Sequence, residues 1–150
     1  MMRKMFQDPA HPIVTPFTVW FDDDSCLAPQ TTAVWWSNLH KKMQAADMVG
    51  KLYRMRVQGY QAEGISRQKW FRGKEINPKT HRFVFATGSW WCCRTQILQQ
   101  WDYPFPDLVH NGGDTVLGEL MRQQSLVYHK DFIFIHPYSS VMLVVYAHSN

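Results

Sequence analysis

Phe17-Thr18-Val19-Trp20-Phe21 runs directly into Asp22-Asp23-Asp24-Ser25. β-Branched and aromatic residues in unbroken succession predict a short buried strand over residues 16–21. Three adjoining carboxylates at its end repel one another. A buried or half-buried cluster of this kind keeps its charge only when a cation offsets it, and otherwise takes up protons. A divalent ion held by hard oxygen ligands, with a phosphate completing the shell, meets that need. The plainer alternative is an acidic surface turn in which an aspartate caps the next element.

Working outward, residues 1–15 show no periodic pattern and are punctuated by Pro9 and Pro12. After the acidic loop, Trp36, Leu39, Met43 and Ala46 recur at helical spacing and predict a helix from Thr31 to Asp47. Alternation over Val49–Val57 predicts a strand, and a second helix is expected from Tyr60 to Phe71, weakened by Gly64. A polar turn from Gly73 to Lys79 leads to a strand over Arg82–Ala86, which Thr87-Gly88-Ser89 is expected to break. Trp90-Trp91-Cys92-Cys93 then precedes a short helix, Arg94 to Trp101. A loop with Pro104 and Pro106 reaches Asn111-Gly112-Gly113-Asp114. The helix after it, Thr115 to Gln124, carries Val116, Leu117, Leu120 and Met121 on one face, and strands are expected at Phe132–Ile135 and Val141–Tyr146. Strands alternate with helices, which makes the class α/β, a mixed sheet flanked by helices.

Composition narrows the function classes. The chain's 150 residues read as one domain, and a 45% hydrophobic, 15% aromatic composition excludes a disordered protein. No apolar run spans a bilayer and the first residues lack the apolar core of a secretion signal, so a cytoplasmic location is expected. Of three cysteines, Cys92 and Cys93 are adjacent and none has C-x-x-C spacing, so neither a disulfide framework nor a zinc site is expected. A net charge of +4 and a pI near 9.1 favour an anionic partner: a nucleotide-sugar, a phosphorylated acceptor or nucleic acid.

Three motifs stand in one order: Trp20-Phe21-Asp22-Asp23-Asp24-Ser25, then Phe85-Ala86-Thr87-Gly88-Ser89-Trp90-Trp91, then Asn111-Gly112-Gly113-Asp114-Thr115. In this the chain resembles GT-A-fold glycosyltransferases, most of all the family-2-type enzymes, over roughly Thr15 to His129. The resemblance implies a nucleotide-sugar donor, a hydroxyl acceptor and Mn²⁺ or Mg²⁺. It places the family's D-x-D motif on Asp22 and Asp24, which would hold the metal and the donor diphosphate, with Asp23 turned away or binding water. Asp114 matches the acid that in inverting members acts as general base. At a helix N-terminus the dipole keeps such a carboxylate ionised, and the bland reading of Asp114 is an N-cap. Gly113 stands where many members carry a glutamate. Gly88, Gly112 and Gly113 would admit the acceptor close to the backbone, and Trp90 and Trp91 would offer it an apolar platform. His129 falls where some members place a third metal ligand, with His136 as the alternative. Trp35 and Trp36 are expected in the core.

The resemblance also implies an omission. In the family, several strands precede the metal motif and bind the nucleotide, whereas here that motif arrives at residue 22. Each βαβ unit needs roughly 30 or more residues. The expectation is therefore a shortened GT-A-like domain, a fragment of one, or a protein whose missing sheet edge is supplied by a second copy or a partner chain. Two rival readings use other residues. One is a non-catalytic module binding nucleic acid or a partner protein through Lys51, Arg54, Arg56, Arg67, Lys69, Arg72 and Lys74, interleaved with Tyr53, Tyr60, Trp70 and Phe71. The other is a metal-dependent phosphohydrolase, which also places Asp-x-Asp after a strand but lacks a recognisable Thr or Lys motif here.

Overall fold

Strand β1 (Phe17–Phe21) sends alternate side chains to two interiors: Val19 and Phe21 join one buried cluster, while Trp20 packs against the other. The computed structural model describes residues 6–22, 26–27, 32–56, 59–74, 76, 82–103, 113–130 and 135–136. After β1 come β2 (Cys26–Leu27), α1 (Thr32–Ala45), β3 (Met48–Arg56), α2 (Gly59–Ser66) and β4 (Arg82–Arg94). The chain continues through α3 (Thr95–Gln100), α4 (Gly113–Gln123), β5 (Tyr128–Lys130) and β6 (Ile135–His136).

The main sheet has the order β1-β4-β3-β5. β4 lies antiparallel between β1 and β3, and β5 runs parallel to β3, giving a mixed sheet. The register aligns Val19 with Cys92, Cys92 with Val49, and Val49 with His129. One face buries Val19, Phe21, Val49, Trp90 and Cys92 under Trp35, Leu39 and Met43 of α1. The opposite face buries Met48, Trp91 and Cys93 under α2, α3 and α4. The protein is thus mixed α/β with helices on both faces of the sheet. β3 and β4 approach closely at Gly50, where a Cβ would meet Trp91 Cβ at 2.9 Å.

Tertiary contacts adjust several boundaries. On α1 the buried stripe is Trp35, Leu39 and Met43, continued by Ala46 just past its end, with Trp36 at the rim. α2 stops at Ser66 rather than reaching Phe71, because tight turns (Gln68 N–H to Ile65 O, Phe71 N–H to Gln68 O) bring Trp70 inward to 2% exposure. β4 continues through Thr87-Gly88-Ser89 instead of breaking there. Gly50 pairs with Trp91 but Leu52 with Ala86, so residues 87–90 of β4 stand against residue 51 of β3 as an extended bulge. α4 closes with Ser125 at φ 56, Leu126 N–H bonding Met121 O at 2.9 Å. That turn delivers Val127 to the start of β3, where its carbonyl accepts Asp47 N–H and Met48 N–H. β5 has no counterpart among the sequence expectations, residues 132–134 and 141–146 lie outside the described residues, and Ile135 belongs to β6. No helix among the described residues is long and apolar enough to cross a membrane.

Candidate functional site

Asp22 leaves β1 half-buried, and its carboxylate accepts the indole N–H of Trp20 at 3.0 Å. Trp20 is itself fixed by stacking on Trp91, with ring centroids 6.1 Å apart. One oxygen of Asp22 is thereby oriented by a neighbour two residues back. Carboxylates that ligate metals are commonly held by such an outer hydrogen bond. Asp22 therefore fits a metal ligand chemically. Asp23 and Asp24 lie outside the described residues, and among the described residues no three His, Cys, Asp or Glu side chains gather as a metal-binding group.

Both ends of the acidic loop are tethered. β1 pairs with β4 up to Phe21↔Trp90, and the chain re-enters pairing at Cys26, opposite His136. Only residues 22–25 separate the two anchors. His136 is thus held, by backbone register, beside a residue two positions after Asp24. His129 has a different location. It sits on β5, three strand spacings from Val19 of β1, or about 14 Å across the sheet. The described pairing sets His136 opposite Cys26 and His129 opposite Val49.

The remaining expected site residues divide in the same way. Gly88 lies in the β4 bulge, immediately beyond the point where Trp90 pairs with the end of β1. Trp90 and Trp91 are 0% and 1% exposed and point to opposite faces, so they form parts of the two cores and neither presents an open platform. Gly113 and Asp114 open α4, with the Asp114 side chain and Gly112 outside what the structure describes. α4 packs on the same face of the sheet as Trp20, the residue that holds Asp22. Cys92 and Cys93 are buried free thiols, Cys92 pushed up to about 12 by burial and Cys93 raised by burial and by its neighbour, which keeps both protonated and unreactive.

Sequence reasoning missed a buried polar network on α4. Glu119 is fully buried, with both carboxylate oxygens taken by Arg122 Nε at 3.0 and 2.9 Å and by a further contact from the same guanidinium. Gln123 donates to Glu119 at 2.8 Å and to the Lys74 carbonyl at 2.9 Å, and its amide oxygen accepts Arg72 N–H and Lys74 N–H. Lys74 Nζ returns to Arg122 O and Ser125 Oγ. These bonds fasten the segment after α2 to the C-terminal half of α4. The signal for it was present: polar residues at 119 and 123 share a helical face one turn apart. A second joint is Asp47, whose carboxylate accepts Arg94 Nε at 3.1 Å and Val127 N–H at 2.9 Å, tying the ends of α1, β4 and α4 together. Compared with family models, curated proteins and solved structures, the chain matches none of them.

Proposed function

We propose that this chain is the metal-and-acceptor half of a GT-A-like glycosyltransferase, transferring a sugar from a nucleotide-sugar to a hydroxyl acceptor. The observation that carries this reading is the tethered acidic loop: Asp22 oriented by Trp20 at one end, and His136 opposite Cys26 at the other. Asp22, Asp24 and His136 are the residues that would hold Mn²⁺ or Mg²⁺. A divalent ion bound there would neutralise the charge that develops on the departing nucleoside diphosphate. The Trp20 N–H would hold the Asp22 carboxylate as the outer hydrogen bond of such a ligand.

In this reading Asp114 accepts the proton of the acceptor hydroxyl. It stands in the first turn of α4, where a helix dipole favours the charged form of a carboxylate, the form a general base requires. The bulge containing Gly88, together with Gly112 and Gly113, lets an acceptor approach the backbone where no side chain intervenes. Trp90 and Trp91, buried on opposite faces of β4, serve the two cores rather than contacting the sugar. β1 and β5 are the edge strands of the sheet among the described residues, and a second copy or a partner chain would complete the nucleotide-binding side next to β1.

The test is a calorimetric titration of nucleoside diphosphates with and without Mn²⁺. Binding is expected only with the metal, and Asp24→Ala should abolish it. Asp114→Asn should bind donor as the parent does yet fail to transfer, since the amide keeps the shape but takes no proton. Metal-independent nucleotide binding, or transfer surviving in Asp114→Asn, would overturn the assignment.

A further inference from the structure

The chain after α2 carries four bases, Arg67, Lys69, Arg72 and Lys74, and meets no acid before Glu75, which lies outside the described residues. All four bases are exposed, while Trp70 is buried and Phe71 half-buried, so this stretch turns its rings inward and its charges outward. Arg67 pairs with Glu63 on α2. Lys69, Arg72 and Lys74 form no ion pair with a carboxylate among the described residues.

Arg72 and Lys74 are directed to one place. Gly73 between them has φ 75, the left-handed conformation that glycine adopts without strain. The turn it makes sends the N–H groups of Arg72 and Lys74 to a single acceptor, Gln123 Oε1, at 3.0 and 3.2 Å. Their side chains reach adjoining residues at the end of α4. Arg72 Nε donates to Gln124 Oε1 at 3.1 Å, and Lys74 Nζ donates to Ser125 Oγ at 2.7 Å and to Arg122 O at 2.8 Å. Every one of these acceptors is neutral, so the two cations are oriented without being neutralised. The carboxylates of the neighbouring elements, Glu119 and Asp47, are already paired with Arg122 and Arg94. Lys74 also covers a carbonyl at the negative end of α4, which would otherwise repel an anion. Beyond these bonds Arg72 has its two terminal nitrogens, Lys74 a third N–H and the exposed Ser125 its O–H.

Two positive charges and a hydroxyl on adjoining residues suit a phosphate monoester, which carries nearly two negative charges at neutral pH and three strong acceptor oxygens. A carboxylate brings one charge and two oxygens, which the arginine fork satisfies alone. The geometry points to a phosphate-monoester site at the C-terminal end of α4, formed by Arg72, Lys74 and Ser125. It stands apart from the acidic loop. α4 leads to Val127 and the start of β3, where Met48 pairs with Cys93 and Cys93 with Thr18, whereas Asp22 follows the opposite end of β1. The site is therefore independent of the glycosyltransferase reading.

The experiment titrates inorganic phosphate into the whole chain at neutral pH, with no metal added, followed by phosphorus NMR, and repeats it with acetate observed by carbon NMR. Phosphate should bind saturably and acetate far more weakly. Arg72→Gln/Lys74→Gln should weaken phosphate binding by at least about tenfold, while Arg67→Gln, which changes a neighbouring base already paired with Glu63, should bind as the parent does. The tether to Gln123 uses the main chain of residues 72 and 74, so it does not depend on these side chains. Arg72→Lys, which keeps the charge and loses the fork, should bind several-fold more weakly than the parent and keeps the inference testable if the double variant fails to fold. Absence of saturable phosphate binding, acetate bound as tightly, or undiminished binding in the double variant or in Arg72→Lys would overturn the site. So would an equal loss in Arg67→Gln. Sedimentation with vesicles of phosphatidylcholine and phosphatidic acid, against phosphatidylcholine alone, separates the sources. Binding to the first that disappears in the double variant assigns the phosphate to a lipid headgroup, and a chain that stays in solution while binding inorganic phosphate assigns it to a soluble ester.

Discussion

On the α1 face of the sheet, Trp35 and Trp90 meet edge to face at 5.1 Å, beside Phe21 at 5.6 and 6.4 Å, and neither indole N–H has an acceptor among the described residues. On the α4 face, apolar packing surrounds a carboxylate, a guanidinium and an amide whose bonds are directional and mutually satisfied. The first interior is held by buried aromatic area and tolerates two orphan donors, each costing about 1–3 kcal/mol. The second is held by area plus a network that fails if one member is removed. The two faces should therefore respond differently to truncation and to conservative replacement.

Trp90→Ala removes a fully buried ring from the first face and should cost about 3–5 kcal/mol, measured by urea unfolding. Trp90→Phe should cost far less, because the smaller ring keeps much of the packing and eliminates an unpaired N–H. A penalty for Phe equal to that for Ala would show that the indole has a bonded partner and would break the contrast. On the second face, Glu119→Ala leaves Arg122 and Gln123 without their shared acceptor. Since the Arg122 side chain keeps 25% of its exposure, the loss should be about 2–3 kcal/mol rather than that of a wholly buried pair. Here, unlike at Trp90, the shape-conserving Glu119→Gln should recover only part of it. Gly50→Ala tests the seam between the faces. The added methyl would sit 2.9 Å from Trp91 Cβ and 3.1 Å from the Trp90 carbonyl, and should cost about 1–3 kcal/mol by overpacking.

Legibility in the sequence depends on how local each signal is. The strand before the aspartates, the helix bearing Leu39 and Met43, and the buried stripe Val116, Leu117, Leu120 and Met121 are all legible, because their periodicity is set by burial on one face. The bulge at 87–90 reads as a break. Gly88 and its polar neighbours do interrupt local regularity, but pairing on both sides carries the strand through. Trp90 and Trp91 look available to a ligand, since adjacent tryptophans do not reveal that a sheet has helices on both faces. Glu119 and Gln123 look solvated because the network they join is closed by Arg72 and Lys74, which stand 51 and 49 residues before Gln123 in the chain. The two histidines are indistinguishable in sequence. Only strand pairing separates His129, on β5 opposite Val49, from His136, opposite Cys26.

That separation gives the most direct test of the proposed metal site. Free Mn²⁺ measured by electron paramagnetic resonance, titrated against the parent chain, Asp22→Asn, His136→Ala and His129→Ala, reads metal affinity without any donor or acceptor. The parent should bind Mn²⁺, Asp22→Asn and His136→Ala should each weaken binding by on the order of tenfold or more, and His129→Ala should bind as the parent does. Loss of binding in His129→Ala with His136→Ala unaffected, or Mn²⁺ affinity indifferent to Asp22, would contradict the proposed site.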